Sequence, residues 1–325
     1  MSKKIKRKKY RTVIALIGCL AVLAVASVSV AVVTAVGQGK AEFGDEVENG
    51  LLVDAAAAAD SENGEQILFD AADIRYEEED ALGVSLDELQ PEIEDIIEDI
   101  KARAGGEWSV YVIVPKTGDT LSINQKKMQA ASVIKLFVMG AVYDNYDEIC
   151  ENYPYDDIDS LIESMITISD NEATDLLVTM LGQGDGISGR EVVNKFCKDN
   201  GCTNTVMDRM MGDDNVYSDN YTTTEDCAKI LQKMYNGEFE HSKEMMHHIG
   251  NQTRVNKIPE GVPDNVRVAN KTGELDDVQN DCAVVYTKYP YIICVMSDGV
   301  EDYQPPIDAI VDISSATYNY ISGSM

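Results

Sequence analysis

Basic residues are scarce in this chain beyond its first forty positions. The 325 residues hold 27 Lys and Arg against 57 Asp and Glu, a formal net charge of −30. Residues 41–100 contain one basic residue, Arg75. A body this acidic repels phosphate backbones, which sets nucleic-acid binding aside. Histidine is rarer still: His241, His247 and His248 are all there are, and no acidic or thiol partner stands at a ligand-like spacing from them. No C-x-x-C occurs among the seven cysteines, so the zinc patterns built on it are missing. We therefore expect no metal centre and read the three histidines as part of a solvated helix. No internal repeat is present.

What the chain does have begins at its N-terminus. Lys3, Lys4, Lys6, Arg7, Lys8, Lys9 and Arg11 form a basic cluster, followed by an uncharged, mostly apolar run from Thr12 to Val36. At about 1.5 Å per residue such a run crosses a hydrocarbon core of about 30 Å. It exceeds the roughly 7–15 apolar residues of a cleaved signal peptide. The expectation is a cytoplasmic tail over 1–11, a transmembrane signal anchor over 12–36, and a domain held outside the cytoplasm at the cell membrane. Leu16-Ile17-Gly18-Cys19 looks like a lipoprotein cleavage box, but the apolar residues continue past Cys19. Residues 37–84 are acid-rich, carry an alanine run at Ala55–Ala59 and show no regular apolar period, as expected of a flexible tether.

Organisation starts near Ser85. Leu86, Leu89, Ile93, Ile96, Ile97 and Ile100 recur at helical spacing, with Ser85 and Glu88 as a capping box. Pro91 either kinks this helix or marks its true start, and Gly105-Gly106 ends it. Trp108–Val114 reads as a strand and Thr120–Asn124 as its partner. A helix follows over Ser132–Tyr143. Further helices are expected over 158–168, 172–181, 189–199 and 225–236, strands over 266–271, 281–288 and 291–297, and a closing helix over 306–322. Strands at both ends with helices between them predict an α+β domain over 85–325: an antiparallel sheet flanked by helices, with an inserted all-helical lobe. Cys282 and Cys294 fall near opposite positions of the last predicted hairpin, where they either pack or pair.

Three short motifs occur in order: Ser132-Val-Ile-Lys135, Ser169-Asp170-Asn171 and Lys271-Thr272-Gly273. Ser132 opens a predicted helix, so Lys135 lies one turn along the same face. A serine hydroxyl needs an adjacent base, and a lysine amine serves when burial and a second cation lower its pKa. Lys271 can be that cation. The first N–H groups of the helix lack internal partners and can face a developing oxyanion.

These motifs resemble those of the class A β-lactamases and their penicillin-binding relatives. The resemblance runs from about Leu86 to Ser322. It includes Met128–Lys135 as a nucleophile turn, Ser169–Val178 as an S-D-N helix, Asp208-Arg209 and Thr222–Thr224 as flanks of an omega loop, and Asn280–Tyr286 as the strand after K-T-G. It implies that Ser132 attacks an amide carbonyl and Lys135 takes its proton. It also implies that Ser169 relays a proton, Asn171 holds the substrate's amide, Lys271 and Thr272 bind its carboxylate, and the N–H groups of Ser132 and Glu274 stabilise the oxyanion. The implied substrate is a β-lactam or a D-Ala-D-Ala type peptidoglycan stem peptide, and no cofactor is needed. The chain also departs from the family pattern. Met211 stands where the family has the glutamate that activates the deacylating water. Asp213 and Asp214 are nearby acids, Asn215 matches a water-positioning asparagine, and Asp175 replaces an asparagine that braces the loop. Tyr221 replaces the loop-closing aspartate, leaving Asp219 as a partner for Arg209. Acylation with poor deacylation is the expected behaviour; alternatives are a β-lactamase with a displaced base and a non-catalytic wall-sensing module.

Overall fold

The computed structural model describes residues 85–213 and 218–323. The anchor, the tether, Asp214 and Asn215 lie outside the described residues. The first helix, α1 (Gln90–Ala104), starts one residue before Pro91, which occupies the first turn where a missing N–H costs nothing. The Ser85–Glu88 box is not the cap: Ser85 Oγ instead accepts from Asp87 N–H at 3.3 Å. Gly105, at φ +64°, turns the chain out of α1 and into β1 (Gly105–Val114), a conformation that favours glycine. β2 (Asp119–Ile123) pairs back on β1.

The chain then leaves the sheet. A short strand, β3 (Met128–Gln129), leads into a 3₁₀ turn at Ala131–Ile134. A block of helices follows: α2 (Lys135–Asp144), α3 (Tyr146–Cys150), α4 (Tyr155–Thr167), α5 (Asn171–Leu181) and α6 (Gly186–Asp199). The two-residue β4 (Tyr221–Thr222) pairs with β3, and α7 (Thr224–Tyr235) and α8 (Ser242–Gly250) complete the insertion. The sheet resumes with β5 (Arg267–Leu275), β6 (Val278–Tyr286) and β7 (Tyr291–Val300), and α9 (Gln304–Gly323) closes the fold. The five strands run β2-β1-β7-β6-β5, each neighbour antiparallel.

Both faces of this sheet are covered. Val110, Val112, Ala283, Val285, Ile293 and Val295 join one buried cluster with Ile93, Ile97 and Ile100 of α1 and Ile310 and Ile313 of α9. The alternate residues point the other way, toward α7, where Ser109 Oγ meets Thr224 Oγ1 at 2.8 Å. Double burial explains why Tyr291–Met296 reads as an unbroken apolar run rather than an alternation. Cys282 and Cys294 are register partners on the α7 face. Both are buried free thiols, as are Cys197, Cys202 and Cys227. The histidines depart from expectation. His241 stacks on Tyr143 with centroids 5.0 Å apart, and His248 Nε2 lies 3.0 Å from the Tyr143 hydroxyl, so two of the three belong to a packed aromatic cluster. Among the described residues no helix is long and apolar enough to cross a membrane, and no cluster of three or more His, Cys, Asp or Glu is arranged to hold a metal ion.

Candidate active site

The three motifs converge where the helical insertion meets β5. Ser132 lies in the 3₁₀ turn, not in the α-helix proper, and is partly exposed. The residue before it, Ala131, has φ +46°, a left-handed conformation rare for a side chain with a Cβ. That turn is pinned to the sheet: Asn280 Nδ2 of β6 donates to Gln129 O at 2.9 Å and to Ala130 O at 3.2 Å. Gly273 serves the same junction. A Cβ there would stand 2.8 Å from Ala130 O and 3.1 Å from Ser132 N. The close neighbour that demands a glycine is therefore the turn that carries Ser132.

Lys135 opens α2 and is fully buried. Its Nζ donates to Ser169 O at 2.6 Å, to Asn171 Oδ1 at 2.7 Å and to Ser169 Oγ at 3.2 Å. Burial is the main cause that brings its pKa down to about 7; the Asp170 carboxylate pulls the other way, and Arg254 adds to the lowering. A lysine so placed is neutral in a substantial fraction of molecules at physiological pH, and in that form it can accept a proton. Ser169 has φ +63°, another left-handed non-glycine, which presents both its carbonyl and its hydroxyl to Lys135. Its Oγ also accepts from Lys271 Nζ at 2.9 Å, so this hydroxyl stands between two lysines. Asp170 caps α5, accepting from Ala173 N at 3.1 Å, and thereby sets Asn171 at the start of that helix.

Lys271 and Thr272 are fully buried on β5. Burial, then the nearby Lys135, pushes the Lys271 pKa well below the ordinary lysine value. The Thr272 hydroxyl is buried and has no partner among the described residues. A buried, unpaired hydroxyl beside a buried lysine suits an anionic ligand.

The loop from Asp208 to Asn220 borders the site. Arg209 Nε pairs with Asp219 Oδ1 at 2.9 Å, closing the loop as the sequence suggests. Asn220 Oδ1 accepts from the N–H groups of Asp208 and Arg209 at 2.9 and 3.1 Å. Asp175, one turn along α5 from Asn171, accepts from Met211 N at 2.7 Å and Gly212 N at 2.9 Å. It is a brace, as the replaced asparagine would be, but one that meets two donors. Asp213 is not brought to the lysines: its carboxylate accepts from Met210 N at 3.4 Å, within its own loop.

Sequence reasoning missed several neighbours of the site. Arg254 and Lys257, in the stretch between α8 and β5, both reach Glu274, the residue after Lys271-Thr272-Gly273. Asp298 on β7 accepts from Gln129 N and Nε2, each at 3.1 Å, steadying the approach to the Ser132 turn. None of these carries a local motif.

A five-stranded antiparallel sheet with terminal helices on one face and an inserted helical lobe, meeting at S-x-x-K, S-D-N and K-T-G, defines the β-lactamase/transpeptidase-like fold. The sequence matches the model of the beta-lactamase enzyme family over residues 88–149 and 155–321. The chain belongs to that family. Solved structures agree in fold. A beta-lactamase from Sphaerobacter thermophilus has a TM-score of 0.62 and 23% identity over 72% of this chain and 97% of its own. One from Xanthomonas campestris has a TM-score of 0.62 and 16% identity over 74% of this chain and 100% of its own. The protein PBP-A has a TM-score of 0.62 and 21% identity, covering 74% of this chain and 97% of its own. Among curated proteins nothing matches.

Proposed function

We propose that this domain is a serine acyl-transfer enzyme acting on a β-lactam or a D-Ala-D-Ala type cell-wall peptide, and that it releases the acyl group slowly. The observation that carries the reading is Lys135: a buried amine with a pKa near 7, three residues from Ser132 and held 2.6–2.7 Å from Ser169 O and Asn171 Oδ1. Ser132 Oγ attacks the amide carbonyl while its proton passes to Lys135. The carbonyl oxygen takes the negative charge, facing the N–H groups of Ser132 and Glu274. As the tetrahedral intermediate collapses, the C–N bond breaks and the nitrogen takes a proton through the Ser169 hydroxyl, which lies within hydrogen-bond distance of both lysines. Lys271 and Thr272 receive the substrate's carboxylate, and Asn171 its side-chain amide.

Slow release follows from Met211. A thioether cannot take a proton from water, and Asp213 bonds its own loop. A tether over 37–84 and an anchor over 12–36 would hold the domain at the outer face of the cell membrane, within reach of such peptides. The test is intact mass over time after incubation with a penicillin, with Ser132→Ala as control. A persistent adduct on the native protein alone is expected. Rapid Ser132-dependent turnover would overturn slow release, and the absence of both adduct and product would favour a non-catalytic wall-sensing module.

A further inference from the structure

The residue that follows Lys271-Thr272-Gly273 carries a side chain with its own ionic partners. Glu274 Oε2 lies 3.1 Å from Arg254 Nη1 and accepts from the Tyr303 hydroxyl at 3.2 Å; Oε1 lies 3.0 Å from Lys257 Nζ. Lys257 is fully buried and also donates to Asn280 O at 3.2 Å, in the strand that pins the nucleophile turn. Burial alone would raise the Glu274 pKa, but Lys257 and then Arg254 outweigh it and hold the carboxylate ionised.

The two cations differ in what they can reach. Lys257 is enclosed and has no access to a ligand. Arg254 is 45% exposed, so a ligand can reach its guanidinium. It is near enough to depress the pKa of both Lys135 and Lys271, so its guanidinium shares their field. Of the anions in this region, Asp281 is buried behind β5 and accepts from Ile258 N and Asn270 Nδ2. Asp170 caps α5 and Asp175 braces the loop. That leaves Glu274 as the carboxylate bound to Arg254 among the described residues. The unpartnered Thr272 hydroxyl, two residues earlier on β5, points independently to an acceptor arriving here.

We propose that Glu274 is a specificity-determining residue that holds Arg254, so that a substrate carboxylate received by Lys271 and Thr272 gains the guanidinium as a further partner only by displacing Glu274 from it. Lys257 and Tyr303 would retain the displaced Glu274, and a carboxylate-free substrate would leave the pair intact. The inference rests on acylation at Ser132 as proposed above.

The experiment compares second-order acylation rates for a penicillin and for the same penicillin with its carboxylate capped as an ester, reading the ratio of free acid to ester. Glu274→Gln, which keeps shape and a hydrogen-bond acceptor but frees the guanidinium, should raise that ratio by about tenfold, the scale of one charge-assisted hydrogen bond. Arg254→Gln should lower it by a similar factor. With Arg254 already replaced, the Glu274 change should no longer move the ratio. A ratio within twofold of the native value in Glu274→Gln, or a Glu274 effect that persists without Arg254, overturns the inference while leaving acylation at Ser132 intact. Should Glu274→Gln fail to fold, an unchanged ratio in Arg254→Gln alone overturns it. No acylation by either compound in the native protein refutes the acyl-transfer reading, and this inference with it.

Discussion

If Lys135 is the base, the acylation rate must follow its titration. In an unfolded chain a lysine titrates at about 10.4. Here burial brings the value to about 7. The neutral amine is the active form, so the rate rises with pH through that value and levels off above it. At pH 6, one unit below, about one molecule in eleven carries the neutral amine, and acylation should run about tenfold below its plateau; at pH 5 it should run about a hundredfold below. The assay is the rate at which the penicillin adduct accumulates between pH 5 and 9, by rapid quench and intact mass, with Ser132→Ala as blank. Arg254→Gln gives an internal check. Arg254 helps keep the Lys135 pKa low, so its removal should move the inflection to higher pH. A flat profile from pH 5.5 to 8.5, or a rise only near pH 10, would refute the assignment of Lys135 as base.

Three other substitutions probe the rest of the site. Met211→Glu replaces a thioether with a carboxylate and should shorten the adduct's lifetime at least tenfold; an equally lasting adduct would show that something besides this side chain blocks deacylation. Gly273→Ala drives a methyl toward Ala130 O and Ser132 N; it should cost about 1–3 kcal/mol in chemical denaturation and slow acylation, and native stability with a native rate would contradict the close approach. Asp175→Ala removes the acceptor for two loop N–H groups. It should cost about 1–2 kcal/mol and leave the loop open to protease, whereas an unaltered digestion pattern would mean that the brace is dispensable.

Much of the fold was legible because most elements obey a local rule. Apolar residues at helical spacing placed α4, α5, α6, α7 and α9, with bounds off by a few residues. Gly105 ended α1 because a left-handed backbone favours a residue without a Cβ. The choice at Pro91 needed coordinates: both of its readings satisfy the sequence, and only burial of Leu86 and Leu89 against the sheet side shows the chain entering α1 there. The helix expected from Ser132 begins as a 3₁₀ turn, since Asn280 and Gly273 hold that backbone against β5 and β6, a constraint arising some 140 residues away in the chain.

By itself the sequence determined the family and the candidate residues: Ser132 with Lys135, Ser169 with Asn171, and Lys271, because each pair or residue lies in a short motif whose spacing is set by one helical turn or one strand. Tertiary structure decided the electrostatics. That Lys135 titrates at about 7, that Asp213 faces its own loop, that Asp175 meets two backbone donors and that Arg254 clasps Glu274 all depend on burial and on partners remote in the chain. Burial and charge act through space, and no local pattern of residues encodes either.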